Sequence, residues 1–209
     1  MRRATATILA AAMLVGVIAL PAAATHKAKD GNFVDFIAQQ AEKRKGDFNV
    51  IGQVVLALAG AGVLTTADLD ALGSAELTAF LPTDKAFRRL AADVSGQKLW
   101  EVKESDVIPI LTGALDLATI GAVVKYHIYA GGKVDYRTAL ELDDNKRNGT
   151  DVFIPMYSGG ELGLDRRGGK LQLDDAGTAG FGANHPYVIR RNIRAGNALV
   201  HGISEVLLP

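Results

Sequence analysis

Asp84 stands next to Thr83 in the stretch TAFLPTDKAF, which runs from Thr78 to Phe87. An acid beside a hydroxyl could form part of an active site, but the sequence points to no partner base. The pair also stands where an apolar run gives way to an amphipathic one, just after Pro82. A Thr or Asp side chain at such a point accepts hydrogen bonds from the first N–H groups of a helix, and its negative charge suits the helix dipole. We therefore predict that Thr83 or Asp84 caps a helix.

The four histidines are His26, His127, His185 and His201. No two of them have the spacing that places a pair of metal ligands on one face of a helix. His127 and His201 lie in apolar surroundings, which is typical of core histidines whose ring nitrogens bond to backbone or hydroxyl groups. Tyr126, beside His127, fits either the core or a ligand-facing surface. The sequence predicts no metal site.

Patterns for other kinds of catalysis are missing. No Gly-x-Ser-x-Gly elbow surrounds a serine, and no phosphate-binding Gly-rich loop occurs. The absence of cysteine excludes thiolate nucleophiles, disulfides and Cys-ligated zinc. The acid pairs Asp143/Asp144 and Asp174/Asp175 lie in turn-like stretches without EF-hand spacing, so solvated turns are favoured over weak calcium sites. We predict neither an enzyme nor a cofactor.

The first residues resemble an export signal. Arg2 and Arg3 precede an apolar run from Ile8 to Leu20, and small residues follow up to Ala24. This order is typical of a secretory signal peptide, and the run is shorter than the roughly 20 apolar residues of a membrane-spanning helix. We predict a signal peptide over residues 1–24, cleaved after Ala24, with an uncleaved anchor as the alternative. The mature protein would be secreted or periplasmic and would not span a membrane.

The remaining chain fits one domain. We predict a flexible leader over residues 25–31 and a single domain over residues 32–209. The full chain has 23 basic and 23 acidic side chains, and losing the two arginines of the signal leaves 21 against 23, a formal charge of −2. This balance argues against a nucleic-acid partner, which needs clustered cations. The basic runs EKRK (Glu42–Lys45) and RRNIR (Arg190–Arg194) are interpreted as solvated surface.

Helical patterns fill the first half of the chain. Asn32 is predicted to cap a helix that ends near Gly46, and Asp47 to cap a second, apolar one. Further helices are predicted at TADLDALG, TDKAFRRLAADV and DLATIGAVVKYH, and SDVIPILTGAL is another apolar segment. One predicted strand, AELTAFL, interrupts the helices.

Strand and turn signals fill the second half. Short, partly alternating segments are divided there by Gly and Asp. They are HIYAGGKV, TDVFIPMY, GELGLDR, GKLQLDD, HPYVIRRNI and ALVHGISEVLLP, and GELGLDRRGGKLQL predicts a hairpin. Segregation of this kind predicts an α+β fold in which helices, mainly in the first half, pack on an antiparallel sheet, rather than a doubly wound parallel sheet.

Three segments, taken in order, resemble the signatures of the fasciclin domain family. LTAFLPTDKAF (Leu77–Phe87) is similar to its first signature, VVKYHIYAGGKV (Val123–Val134) to its Tyr-His segment, and NALVHGISEVLLP (Asn197–Pro209) to its closing motif. The resemblance covers the chain from about Asn32 to its end. It implies a wedge-shaped β-sandwich flanked by helices and an extracellular role in adhesion, without catalysis.

The resemblance also implies roles for individual residues. Tyr126 and His127 match the pair associated with adhesion in animal members, which implies a binding role. Asp84, next to Thr83, is a signature position of the fold, and Asn197 and His201 match the closing polar pair.

The closing motif departs from the family pattern at three positions. Ala198 replaces the usual Gly, Gly202 replaces an apolar residue, and Ser204 replaces the usual Asp. A glycine inside a strand predicts a bulge or a weaker edge at Gly202.

Two functions from different classes follow. The first is a secreted, non-enzymatic domain that binds an extracellular protein, matrix or cell-surface component. The second is an extracellular carrier of a small apolar ligand such as a lipid or pigment, which needs a concave apolar pocket; Trp100, Tyr126, Tyr129 and Met156 are candidates for its lining. A hydrolase is the least supported, because no set of nucleophile, base and orienting residue is visible.

Overall fold

The structure is a computed structural model that describes residues 31–43, 45–144, 152–175 and 185–209. The described residues form seven helices and seven strands. In chain order these are α1 (Phe33–Glu42), α2 (Asn49–Gly60), α3 (Thr66–Ser74), β1 (Leu77–Pro82), α4 (Asp84–Ser95), α5 (Glu104–Ala114), α6 (Leu117–Tyr126), β2 (Ile128–Tyr129), α7 (Tyr136–Asp144), β3 (Val152–Pro155), β4 (Glu161–Arg167), β5 (Lys170–Asp174), β6 (Val188–Ala195) and β7 (Ala198–Ile203). The predicted signal peptide and residues 25–30 of the predicted leader lie outside the described residues.

The strands form two sheets. A four-stranded sheet has the order β2-β1-β7-β6, and a three-stranded sheet has the order β3-β4-β5. The α+β class and the concentration of helices in the first half are confirmed. The expectation of a purely antiparallel sheet is wrong at one pair, because β1 and β7 run parallel. These two strands are far apart in the chain, so no tight turn forces them to be antiparallel.

Strands β4 and β5 form the hairpin that was predicted at GELGLDRRGGKLQL. The two strands pair antiparallel from Gly163 opposite Asp174 to Arg167 opposite Lys170. The turn between them consists of Gly168 and Gly169, whose φ angles are 57° and 77°. Two consecutive left-handed residues make the kind of turn that matches the twist of paired strands, and glycine adopts it without steric cost.

The four-stranded sheet separates two apolar cores. Alternate residues of β1 point to opposite faces, as in any strand. Leu77, Ala79 and Leu81 pack against the helices of the first half. Phe80 packs on the other side, in a core shared with α7 and the three-stranded sheet. The signature segments at β1, at the end of α6 and at β7 therefore lie between the two cores.

Three local expectations differ from the structure. Helix α1 ends at Glu42 rather than near Gly46. Helix α2 starts at Asn49, and Phe48 occupies the position predicted for the capping side chain of Asp47. Helix α7 was not expected at all. Among the described residues no single helix is long and apolar enough to cross a membrane; α5 and α6 together meet that test by length and composition but are bent by 115°.

Candidate functional site

Thr83 and Asp84 both act as helix caps, but for two different helices. Thr83 Oγ1 accepts a hydrogen bond from the Ala86 N–H at 3.3 Å and thereby caps α4. Asp84 is the first residue of α4, yet its Oδ1 accepts from the Val50 N–H at 2.9 Å, in the first turn of α2. Because Phe48 at the N-cap of α2 offers no hydrogen-bonding side chain, Asp84 supplies the missing acceptor from a distant part of the chain.

The environment of Asp84 disfavours its charged form. The residue is buried, and its Oδ2 has no hydrogen-bond partner among the described residues. Burial raises the pKa of Asp84 to about 6, and the nearby carboxylates of Glu104 and Asp47 act in the same direction, whereas the hydrogen bond from Val50 opposes them. A buried acid with a raised pKa can mark a catalytic site. Here the hydrogen bond from the Val50 N–H gives the buried carboxyl of Asp84 a structural role as a cap of α2.

Tyr126 is completely buried, with 0% of its surface exposed. Its hydroxyl donates to the carbonyl of Glu161 at 2.5 Å and so ties the end of α6 to the start of β4. Gly160 lies against the ring: a Cβ atom at that position would approach Tyr126 Cε2 to 2.8 Å. The ring therefore packs in the core shared with α7 and the three-stranded sheet, and glycine at position 160 leaves space for it.

His127 is also buried, and both ring nitrogens are engaged. Nδ1 lies 2.7 Å from the Val123 carbonyl oxygen, and Nε2 accepts from the Leu207 N–H at 2.9 Å. A carbonyl can only accept and an N–H can only donate, so the proton must be on Nδ1. Burial lowers the pKa of His127 to about 4. The neutral ring thus joins α6 to the C-terminal segment.

His201 uses the opposite pattern. Nε2 lies 2.9 Å from the Val134 carbonyl oxygen, and Nδ1 accepts from the Asn192 N–H at 3.4 Å, so the proton must be on Nε2. Asn192 adopts a φ of 57° at a register shift of β6, and its side chain accepts from the N–H of Tyr136 at the start of α7. Burial lowers the pKa of His201.

Asn197 connects three elements at the turn between β6 and β7. Its Oδ1 accepts from the Phe33 N–H of α1 at 2.8 Å. Its Nδ2 donates to the carbonyl of Leu72 at 2.9 Å and also to that of Ala75, both at the end of α3. One amide side chain therefore satisfies a donor at one helix start and acceptors at another helix end.

The departures in the closing motif also have structural partners. Gly202 lies in β7, between β1 and β6, and a Cβ atom there would approach Phe48 Cζ to 2.9 Å. The predicted bulge exists, but it lies on β6, where the register shifts between Val188 and Arg190 opposite Gly202. Ser204 Oγ accepts from the Tyr187 N–H at 3.0 Å, so it extends the pairing of the two strands.

The signature residues therefore do not converge on one site. Each bonds to backbone groups at a different junction of the fold, and among the described residues no group of three acids or histidines could hold a metal ion. Tyr126 and His127 offer no exposed surface to a partner in this structure. The binding role given to this pair stays a prediction, and it would need these side chains to act through the segments that they support.

An apolar cavity lies between α1, α2, α3 and the strands beside them. Its volume is about 30 Å³, and its lining includes Phe33, Leu72, Leu81 and His127. That volume holds about one water molecule, whereas pockets for small-molecule ligands measure about 300–1,000 Å³. None of Trp100, Tyr126, Tyr129 and Met156, the expected lining of a carrier pocket, lines this cavity.

Trp100, the only tryptophan of the chain, lies at the surface with 75% of its area exposed. It belongs to the turn between α4 and α5, which Arg88 fixes by donating from Nε to the Val102 carbonyl at 2.8 Å and from Nη2 to the Leu99 carbonyl at 3.1 Å. The Lys98 ammonium lies 5.1 Å from the centre of the indole ring. Sequence alone did not single out this residue as exposed.

Comparisons with known proteins agree with this architecture. The sequence profile of the family described as Fasciclin domain matches residues 54–209. Among solved structures, a FAS1 domain pair from the insect cell adhesion molecule fasciclin I superimposes with a TM-score of 0.53 at 13% identity, over 79% of this chain and 48% of that one. The chain thus spans about half the length of that domain pair, and a likeness at this identity shows the fold. A comparison with curated protein sequences found no match.

The fold is an α+β scaffold whose elements are joined by hydrogen bonds from buried polar side chains to the backbone. Because the family profile covers more than half of the chain, the protein belongs to the fasciclin domain family. Fasciclin domains are known in adhesion-type proteins, are typically extracellular and are generally non-enzymatic.

Proposed function

We propose that this protein is a secreted, non-enzymatic domain that binds a cell-surface, matrix or other extracellular protein. The observation that carries the proposal is Trp100, an exposed aromatic side chain on a turn held in place by Arg88. Tryptophan is enriched among the residues that dominate the energy of protein interfaces, and a fixed turn reduces the entropy lost on binding.

The surroundings of Trp100 suit a protein partner. Lys98 and Glu101 are exposed beside it, so an apolar anchor is surrounded by charged groups, the arrangement of an interface core and its rim. The Lys98 ammonium forms no ion pair with a described residue, and a carboxylate of a partner could reach it. Binding to a lipid surface depends on the apolar area buried and on attraction of basic groups to anionic lipids, so a single exposed tryptophan favours a protein partner.

The internal use of the signature residues supports the same proposal. Asp84, His127, Asn197 and His201 are bonded to backbone groups within the fold, so recognition falls to other residues of the surface. The predicted localisation, secreted or periplasmic through a cleaved signal peptide, is part of this proposal.

An attachment assay tests the proposal. Surfaces are coated with the mature wild-type chain, with Trp100→Ala, or with the control Phe153→Ala, which removes another exposed aromatic residue on β3. We expect cells to attach to the wild type and the control and to attach much less to Trp100→Ala, with equal melting temperatures throughout. Equal attachment to Trp100→Ala and the wild type would contradict the proposed role of this residue.

The carrier alternative has its own measurement. A carrier of a small apolar ligand needs a pocket about ten times larger than the cavity at α1 and α2. Native mass spectrometry and an absorption spectrum of the exported protein would detect a bound lipid or pigment, and either finding would favour the carrier over the adhesive domain.

A further inference from the structure

A surface groove lies beside the turn between β6 and β7. Its volume is about 650 Å³, and it is lined by Lys133, Arg194, Gly196, Ala198 and Leu199. The two cations come from different parts of the chain: Arg194 from β6, and Lys133 from the segment between β2 and α7. We propose that this groove binds an acidic extracellular polysaccharide, through ion pairs of Lys133 and Arg194 with its sulfate or carboxylate groups.

The wall that carries Lys133 is fixed on both sides of that residue. Thr78 Oγ1 donates to the Gly132 carbonyl at 2.8 Å and accepts from the Val134 N–H at 2.8 Å. His201 Nε2 bonds to the Val134 carbonyl at 2.9 Å. The backbone around Lys133 is therefore held by buried side chains of β1 and β7, and only the lysine side chain itself is free to adjust.

The floor and the opposite wall are fixed as well. Arg194 pairs with Leu199 in the ladder of β6 and β7. The intervening turn is held by Asn197, which bonds to α1 and α3, and by Gly196, at which a Cβ atom would approach the Gly31 carbonyl oxygen to 2.2 Å. A groove whose walls are fixed before binding loses little entropy when a ligand enters.

The charges of the groove leave room for an anionic ligand. Arg194 forms no ion pair with any residue that the structure describes. Lys133 Nζ lies 3.3 Å from Glu76 Oε1, but Glu76 is 72% exposed, so water screens the pair and a ligand can replace it. Asp135, two residues from Lys133 in the chain, is engaged by the Thr138 hydroxyl and by N–H groups of α7. Arg191, on the same strand as Arg194, lies over the Tyr136 ring at 5.0 Å.

Protection of an edge strand explains only part of this arrangement. β6 is an edge of the four-stranded sheet, and charged side chains on an edge discourage pairing with other chains. That role accounts for arginines on β6. It does not account for Lys133, which lies outside the strands and faces the same groove from a separately fixed segment.

The floor of the groove favours a polysaccharide over an acidic peptide. Ala198 and Leu199 are paired with β6 on one side and β1 on the other, so their main-chain groups are already used. An extended peptide gains much of its affinity from pairing with a free strand edge. The floor strand β7 has no free edge, and the free edge of β6 carries charged side chains that discourage such pairing. The Ala198 side chain is buried in the core on the helix side of the sheet, but sugar rings can lie over Gly196 and the half-buried Leu199 while their acidic groups reach the two cations. The inference goes beyond the proposed function, because it involves neither Trp100 nor the turn that carries it; the two share only an extracellular setting.

Heparin–agarose chromatography and isothermal titration with heparin test the inference on the mature chain. The groove variant is Lys133→Gln with Arg194→Gln. The control, Lys85→Gln with Lys170→Gln, removes two exposed cations elsewhere and has the same net charge. We expect the wild type and the control to be retained above physiological salt and the groove variant to bind heparin about tenfold more weakly or worse, with unchanged melting temperatures for all three.

Three results would overturn the inference. The first is a wild-type chain that is not retained at physiological salt, and the second is a groove variant that binds heparin as well as the control does. The third comes from competition: if polyglutamate displaces the protein as well as dextran sulfate does at equal charge concentration, the groove is a site for acidic peptides. Polygalacturonate in the same competition shows whether carboxylate groups suffice or sulfate groups are required. Because no cells are used, failure here is separate from failure of the attachment assay.

Discussion

The carboxylate of Asp84 and the backbone N–H of Val50, which are 34 residues apart in the chain, are joined by a hydrogen bond of 2.9 Å. The Asp84 N–H in turn donates to the Asp47 carbonyl at 2.8 Å. The junction between β1 and α4 is therefore fastened to the start of α2 by two bonds. The first signature segment of the family therefore positions α2 relative to α4, and the Asp84 carboxylate makes one of the two hydrogen bonds that do so.

Removal of the hydrogen bond between Asp84 and Val50 should destabilise the fold. At about pH 5, Asp84→Ala loses the cap of α2 and should lower the free energy of unfolding by about 1 kcal/mol or more. Asp84→Asn keeps an oxygen that can accept from Val50 and should lose less. Urea denaturation of the three proteins measures both differences. If Asp84→Ala unfolded at the same urea concentration as the wild type, the cap that the Asp84 carboxyl provides for α2 would contribute nothing to stability.

The raised pKa of Asp84 predicts an unusual dependence of stability on pH. Its pKa is about 6 in the folded chain and 3.8 ordinarily, so between these values the folded chain binds more protons than the unfolded chain. The wild type should therefore gain stability relative to Asp84→Asn as the pH falls from about 7 to about 4, by up to about 3 kcal/mol. The histidines titrate in both proteins, so their effects cancel in the comparison. A difference that is constant with pH, or that shrinks towards acid, would show that burial does not raise this pKa.

The two buried histidines should hold opposite tautomers. Hydrogen bonds place the proton on Nδ1 in His127 and on Nε2 in His201. Nitrogen-15 NMR of the imidazole rings at neutral pH distinguishes the tautomers by their chemical shifts. We expect both rings to be neutral, and His127 to stay neutral down to about pH 5 because burial lowers its pKa to about 4. The same tautomer in both rings would mean that one of the two sets of backbone contacts is absent.

Asn197 should contribute to stability through both ends of its amide. Asn197→Ala removes bonds to Phe33, Leu72 and Ala75 and should cost about 2–3 kcal/mol. Asn197→Asp should not restore stability, because its carboxylate would face two carbonyl oxygens. Gln97→Ala, which trims an exposed amide, is the control and should change stability little. Thermal unfolding of the three variants measures these effects, and a stable Asn197→Asp would argue that only the bond to Phe33 matters.

The sequence predicted the helices and strands with clear local signals, and it failed where distant residues decide the structure. Asn32 caps α1 as expected, because its partner Asp35 is three residues away. Helix α7 was missed because the segment YRTALELDD is rich in charged residues and one of its starting contacts comes from Asn192, 56 residues further on.

The same limit applies to the functional residues. A cap was predicted at Thr83 or Asp84 from local chemistry, but nothing local could show that Asp84 serves α2 rather than α4. The exposure of Trp100 depends on the turn that Arg88 holds by hydrogen bonds to backbone carbonyls. Local sequence could not predict this exposure, because tryptophan is common both in cores and in interfaces. The groove brings together Lys133 and Arg194, which are unrelated in the sequence.

The central claim is that the polar signature residues shape the interior and leave recognition to the surface, and chemical modification of histidine tests it most directly. The native protein is treated with diethyl pyrocarbonate, and modified residues are identified by mass spectrometry. We expect His185, whose side chain is 51% exposed, to react while His127 and His201 are protected until the chain is unfolded in guanidinium. Modification of His127 in the native protein at a rate close to that of His185 would contradict the claim.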